Sequence, residues 1–306
     1  MYLTPLVDRA GAFGGESVRN EVYISSLGGH NVVRRLLVLP LSVVLVACTN
    51  PPTGSPSAAT TTPTASDSAS SVDVLSHPVI SDSFAVGADL HELAVRCFGA
   101  GSPTLVFEAG TDSSGVSSFP SALLRPLADT NMVCLYDRLG TGQSDPPNKA
   151  RRTLNDVIAD TAAVLGAAHV GPPYVLVGQS GGGNIAVWYA AQHPDEVAGL
   201  VLIDAGYDNP REMAKEFPGA QAWAGSEHVD WTNAARLEWR MKKPIGTFPV
   251  LILSADHYEG HPDPASSAWQ SLSPNAKEVV MHGGHDLHTE IPEQVAEQIR
   301  SLLDTL

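Results

Sequence analysis

From His77 onward, short apolar runs alternate with stretches whose apolar residues recur at helical spacing. The runs Leu90–Phe98 (LHELAVRCF), Thr104–Gly110 (TLVFEAG) and Asn131–Asp137 (NMVCLYD) read as strands, the first two split by the turn segment GAGSP. A helix is expected over 154–168, because Leu154, Val157, Ile158, Ala162 and Leu165 share one face. The strand YVLVG follows, then a helix that opens at Ser180 and must end before Pro194. Next come GLVLID, an irregular stretch 205–247, the strand FPVLILSAD, the strand AKEVVMH and a closing helix Glu293–Leu303. Val175–Val177 and Val250–Leu253 carry no polar interruption, as expected of parallel strands covered on both faces. The pattern predicts a three-layer α/β domain with a mostly parallel sheet flanked by helices.

The amino-terminal part follows a different rule. Arg34 and Arg35 precede an apolar run, Leu36–Val46, which ends in Ala47 and Cys48. That run is too short to cross a hydrocarbon core of ~30 Å and fits the apolar region of an export signal. LVAC, Leu45–Cys48, resembles the lipobox of bacterial lipoproteins, in which the cysteine is lipidated and becomes the new amino terminus. Residues 1–47 are therefore expected to be a leader and lipoprotein-type signal peptide. The expected location is the outer face of the bacterial cell membrane, anchored through Cys48, with plain secretion as the alternative. Residues 49–72 hold four Pro, six Ser, six Thr and one charge, too little apolar surface to order themselves. Residues 48–76 thus read as an anchor cysteine plus an extended tether, and 77–306 as one domain of the larger kind. The formal charge of −15 argues against nucleic acid as a partner, since nothing in it would neutralise a row of phosphates. Three cysteines are too few for a disulfide scaffold.

The candidate chemistry centres on Gly178-Gln179-Ser180-Gly181-Gly182. This G-x-S-x-G stretch sits between a strand and a helix, where a tight turn raises the serine and leaves no room for side chains two residues away. The turn puts Ser180 at a helix N-terminus, whose free N–H groups favour developing negative charge, with Gly181 N–H as one donor. A serine hydroxyl needs a base, and the base an orienting carboxylate. VVMHGGHDLHTE offers His282, His285 and His288. His285 is expected as the base because it follows a strand and a Gly-Gly turn, with His288 as the alternative. Asp256, directly after a buried strand, is expected as the acid because a loop there reaches a terminal histidine. Asp204 has a similar address after GLVLI and remains the alternative.

These residues and the motifs GSPTLVFEAG, VCLYDRLGTGQSD, VGQSGGG, VLILSAD and GGHDLHTEIP together resemble the α/β-hydrolase family over about residues 84–306. The resemblance implies the α/β-hydrolase fold, with Ser180 as nucleophile, Asp256 as acid and His285 as base. It also implies an oxyanion hole from the N–H groups of Gly181 and Thr111. The chain has Ala109-Gly110 where the family often has His-Gly. Asp137 and Arg138 match a structural turn of the family, so loop stabilisation is the reading for both. Cys97 and Cys134 fall on strands that are neighbours in the family's sheet order. There they form either a disulfide or two buried thiols.

The stretch 205–247 lies where the family inserts a lid. Trp231, Ala235 and Trp239 recur at i, i+4 and i+8, and with Trp223, Phe217, Met213 and Met241 they suggest an apolar lid that packs on the core or lines an acyl pocket. The expected activity is hydrolysis of small carboxylic esters with mainly apolar acyl groups, through an acyl-enzyme, with no cofactor and no metal. Competing readings are a peptidase or acyltransferase of the same fold, a metal hydrolase on the His282, His285, His288 spacing, and a non-catalytic ligand-binding surface lipoprotein.

Overall fold

In a computed structural model, which describes residues 73–206, 209–256 and 265–306, the apolar runs become strands of one sheet. The expected leader, the expected lipidation site Cys48 and the expected tether through residue 72 lie outside the described residues. The strands are β1 (Ile80–Val86), β2 (His91–Phe98), β3 (Thr104–Glu108), β4 (Val133–Tyr136), β5 (Tyr174–Gln179), β6 (Val197–Ile203), β7 (Val250–Ala255) and β8 (Ala276–Met281). Their spatial order is β1-β2-β4-β3-β5-β6-β7-β8. β2 runs antiparallel to both its neighbours, and every pair from β4 to β8 is parallel.

Alternation along the strands explains the two cores. Leu105 and Phe107 of β3, with Val175 and Val177 of β5, point to one face; Val106 and Leu176 point to the other. The described helices are α1 (Gly115–Ser118), α2 (Ser121–Ala128), α3 (Leu154–Ala167), α4 (Gly181–Gln192), α5 (Pro210–Glu216), α6 (Trp231–Arg240), α7 (Ala265–Gln270), α8 (Leu287–Glu290) and α9 (Pro292–Leu303). Leu123 and Leu127 of α2 and Val295 and Ile299 of α9 cover the first face, while Ile158 of α3 and Ile185 of α4 cover the second. Phe107 is fully buried, so its truncation to Ala costs about 3–5 kcal/mol.

The α3 boundaries come from a capping box: the Thr153 side chain accepts from Asp156 N–H while the Asp156 carboxylate accepts from Thr153 N–H. α2 is less legible, because it carries Pro126 in its interior and is held by its buried leucines. The folded unit begins before residue 77. Asp73 accepts from Leu75 N–H at 3.1 Å and pairs with Arg125 of α2 at 3.0 Å. Cys97 and Cys134 face each other across β2 and β4, are buried, and are joined as a disulfide. Among the described residues no helix is long and apolar enough to cross a membrane.

Candidate active site

The turn between β5 and α4 raises Ser180. Its backbone lies at φ 51°, ψ −127°, a region L-residues avoid, which costs on the order of 1–3 kcal/mol. Two bonds hold it there: Ser180 N–H donates to Ile203 O of β6 at 3.0 Å, and Gly183 N–H donates to Ser180 O at 2.9 Å. The glycine spacing is a steric demand. A Cβ on Gly178 would lie 2.5 Å from Gly182 O, and one on Gly182 would lie 2.2 Å from Glu108 O.

The loop after β3 crosses directly in front of this turn. A Cβ on Gly110 would stand 3.6 Å from Ser180 Cβ, and one on Gly181 would stand 3.4 Å from Thr111 N. Gly181 and Thr111, the two expected oxyanion donors, are thus neighbours beside Ser180. Glycine at 110 lets the loop come this close.

His285 follows β8, and its Nδ1 lies 2.7 Å from Asp204 Oδ2. His285 is therefore paired with Asp204 and not with Asp256, the partner expected from the sequence. The physical reason lies at the ends of two neighbouring strands. Asp204 turns at φ 43° immediately after Ile203, and its Oδ1 accepts the Ala255 N–H at 3.0 Å, so its side chain leans across the end of β7. Asp256 instead faces the strand-end loop beyond β8, where it accepts from Gly283 N–H at 3.1 Å and meets His282 Nδ1 at 3.0 Å. Ser180 N–H binds Ile203 O, so Asp204, the next residue, sits beside the serine turn, and its bond to His285 brings the imidazole to the same end of the sheet. The Asp204 hydrogen bond raises the His285 pKa above its ordinary value against a partial burial that opposes it.

The three histidines diverge. His282 is exposed on Asp256, His285 is bonded to Asp204, and His288 is buried against Phe119 with ring centroids 5.4 Å apart. Burial lowers the His288 pKa. The three histidines thus have different partners, and among the described residues no cluster of three metal-ligating side chains occurs.

Helix α6 packs Ala235 and Trp231 inward as expected but not Trp239. Trp239 is 56% exposed, while Glu238 is buried and accepts from Asn184 Nδ2 of α4 at 2.8 Å. Trp231 does reach the site: its ring edge lies 3.2 Å from where a Gly181 Cβ would stand. Trp223 packs under Arg151, 4.6 Å from ring centre to guanidinium carbon.

Arg138 stabilises a loop, as expected, and does so together with two carboxylates, Glu108 and Glu227, that the sequence does not single out. Arg138 Nη1 and Nη2 donate to Ala109 O at 2.9 Å and Gly110 O at 2.8 Å, while Nη2 also donates to Glu227 Oε2 at 3.1 Å. Glu108 lies beneath, accepting from Tyr136 Oη at 2.7 Å and standing 3.5 Å from Arg138 Nη1. Burial pushes the Glu108 carboxyl up to about 7, although Arg138 pulls it down. Burial alone would lower the Arg138 pKa, and the charge and bonds of Glu227 raise it instead. Asp137 does stabilise its loop, accepting from Ser114 Oγ, Val116 N–H and Gln143 N–H.

Comparison with known proteins agrees with this architecture. The family model described as alpha/beta hydrolase fold matches residues 103–224. The uncharacterized protein YqjL of Bacillus subtilis (strain 168) is 26% identical over 212 residues, 64% of this chain and 82% of that protein. The cis-3-alkyl-4-alkyloxetan-2-one decarboxylase of Shewanella oneidensis is 34% identical over 86 residues, 28% of this chain and 27% of that protein. A hydrolase from Pseudomonas aeruginosa PA01 superposes with a TM-score of 0.56 at 19% identity, over 73% of this chain and 98% of that one. The chain has the α/β-hydrolase fold.

Proposed function

We propose that the protein is a serine hydrolase that cleaves carboxylic esters through an acyl-enzyme. Ser180 is the nucleophile, His285 the general base, Asp204 the acid that orients it, and the Gly181 and Thr111 N–H groups form the oxyanion hole. The observation that carries this reading is the His285–Asp204 bond of 2.7 Å beside a serine held at positive φ.

His285, held with its proton on Nδ1 by Asp204, takes the Ser180 Oγ proton at Nε2 as Oγ attacks the ester carbonyl. The carbonyl oxygen becomes an anion facing the Gly181 and Thr111 N–H groups. Collapse breaks the ester C–O bond, and His285 returns the proton to the leaving alcohol. Water then enters, loses a proton to His285 and attacks the acyl carbon, and Ser180 Oγ leaves with that proton. The Trp231 edge beside Gly181 favours an apolar acyl group.

The test is labelling by a fluorophosphonate probe with peptide mapping. The adduct is expected on Ser180 and is expected to vanish in His285→Ala. A folded wild-type protein that takes no label overturns the reading. The basic–apolar–cysteine pattern at 34–48 further supports an exported form anchored through lipidated Cys48. In its bacterial host, Cys48→Ser is expected to move the protein from the membrane fraction to the soluble one.

A further inference from the structure

The loop that carries Thr111 is gripped from two sides. Arg138 turns two successive carbonyls, Ala109 O and Gly110 O, toward its guanidinium. In a trans peptide the C=O and N–H point in opposite directions. The Thr111 N–H shares its peptide plane with Gly110 C=O, so it faces away from Arg138, on the side where Gly181 stands. The next donor, Asp112 N–H, is taken by Glu227 Oε2 at 2.6 Å, and Ser113 N–H closes back on Gly110 O at 3.2 Å.

Glu227 belongs to the connector that leads into lid helix α6, and that connector is fastened to the same loop. Glu227 N–H donates to Asp112 Oδ1 at 3.0 Å and Ser226 Oγ to the same oxygen at 3.1 Å. A Cβ on Gly225 would fall 1.9 Å from Asp112 Oδ2, and one on Gly140 would fall 2.1 Å from Ser226 O. Downstream, Val229 bridges to Arg152, and Trp231 begins the helix beside Gly181. Arg138 and Glu227 are 2% and 1% exposed, so their pairing is shielded from solvent and geometrically firm.

Resting on the reading of Ser180 as an acylating nucleophile, we propose that Arg138 and Glu227 are positioning residues: they aim the Thr111 N–H at the developing oxyanion and tie that aim to the lid connector 225–230. Neither touches substrate. Their contribution is made in the transition state, where a donor displaced by a fraction of an ångström loses its effect.

Four variants test this: Glu227→Gln, Arg138→Lys, Asp112→Ala and Asp112→Asn. Glu227→Gln and Arg138→Lys are expected to lower kcat on p-nitrophenyl butyrate by about 10–100-fold, less than loss of a whole donor, with KM changed less than about threefold. Affinity for a boronic acid that mimics the tetrahedral state is expected to fall by the same factor. Asp112 is at the surface, so its variants remain informative where a buried change prevents folding. Asp112→Ala is expected to lower kcat several-fold, and Asp112→Asn, which keeps the Oδ1 acceptor, to restore it.

Amide hydrogen exchange over 109–113 gives a readout independent of turnover, expected to quicken in Glu227→Gln and Asp112→Ala. Unchanged kcat and unchanged exchange in folded variants overturn the proposal, as does a kcat loss without weaker boronate binding. A wild-type protein without fluorophosphonate labelling of Ser180 overturns the hydrolase reading itself, and the positioning role with it.

Discussion

Replacing Asp204 by asparagine isolates the pairing of the proposed acid and base. Asp204 spans two partners: Oδ2 faces His285 Nδ1 at 2.7 Å and Oδ1 takes the Ala255 N–H at 3.0 Å. Asparagine keeps the shape, and its carbonyl oxygen retains the Ala255 bond. Its NH2 then faces His285 and can only donate, so Nδ1 must accept and the imidazole proton moves to Nε2. A histidine in that tautomer cannot take a proton from Ser180, and the equivalent change in a chymotrypsin-type triad costs about 10⁴ in kcat. The expected loss here is about 10³–10⁴-fold, or about 4–5.5 kcal/mol of transition-state stabilisation. Asp256→Asn is the matched control. Its pair with His282 is solvated, the imidazole being 82% exposed, so kcat is expected to change less than about threefold. The assay is kcat on p-nitrophenyl butyrate for both variants, with thermal melts to establish that each is folded. A loss in Asp256→Asn equal to or larger than that in Asp204→Asn refutes the assignment.

The proposed mechanism requires neutral His285, whose pKa the Asp204 bond raises, so the rising limb of kcat/KM against pH is expected above pH 6.5; a limb at or below that value contradicts it. For stability the same bond contributes fully below pH 6.5 and is lost as pH rises through the folded-state value. Glu108 binds its proton more tightly folded than unfolded, so stability is expected to fall as pH rises from 4.5 to about 7. That interval corresponds to about 3 kcal/mol, and urea melts at pH 5 and pH 8 should show the difference shrinking in Glu108→Gln; an unchanged difference tells against it. The Cys97–Cys134 bridge closes a separation of 37 residues, so the Cys97→Ala/Cys134→Ala variant is expected to lose about 3–4 kcal/mol, or about 10 °C in Tm. An unchanged melt would show that the bridge constrains nothing in the unfolded chain.

The sheet and the serine turn are written locally. Apolar runs without interruption mark β3, β5, β6 and β7, and the glycine spacing at 178–182 follows from contacts that a Cβ would break. The carboxylate that meets His285 is harder to read because Asp204 and Asp256 share one signature, an aspartate after a buried strand, and those strands are neighbours with Ile203 opposite Leu253. Which carboxylate meets His285 depends on a one-residue turn at φ 43°, and composition carries no sign of it. The 231/235/239 stripe holds for Trp231, which packs against the core, and for Ala235, which is buried, but Trp239 is exposed, and Glu238 is buried on Asn184 instead. Glu227 was invisible for a related reason: its partners, Asp112 and Arg138, come from loops far apart along the chain.

The two residues after Asp204 bear on any attempt to rebuild the lid. Gly206 O accepts from Asn184 Nδ2 at 3.2 Å, Ala205 O accepts from the Trp269 indole at 2.7 Å, and Ala205 Cβ lies 2.3 Å from where a Gly183 Cβ would stand. The segment after β6 therefore departs from a clamped dipeptide next to Asp204. A chimera that borrows another protein's cap must splice beyond Gly206. Transplanting the cap as a cassette cut at the strand end would dislodge the carboxylate it was meant to leave alone.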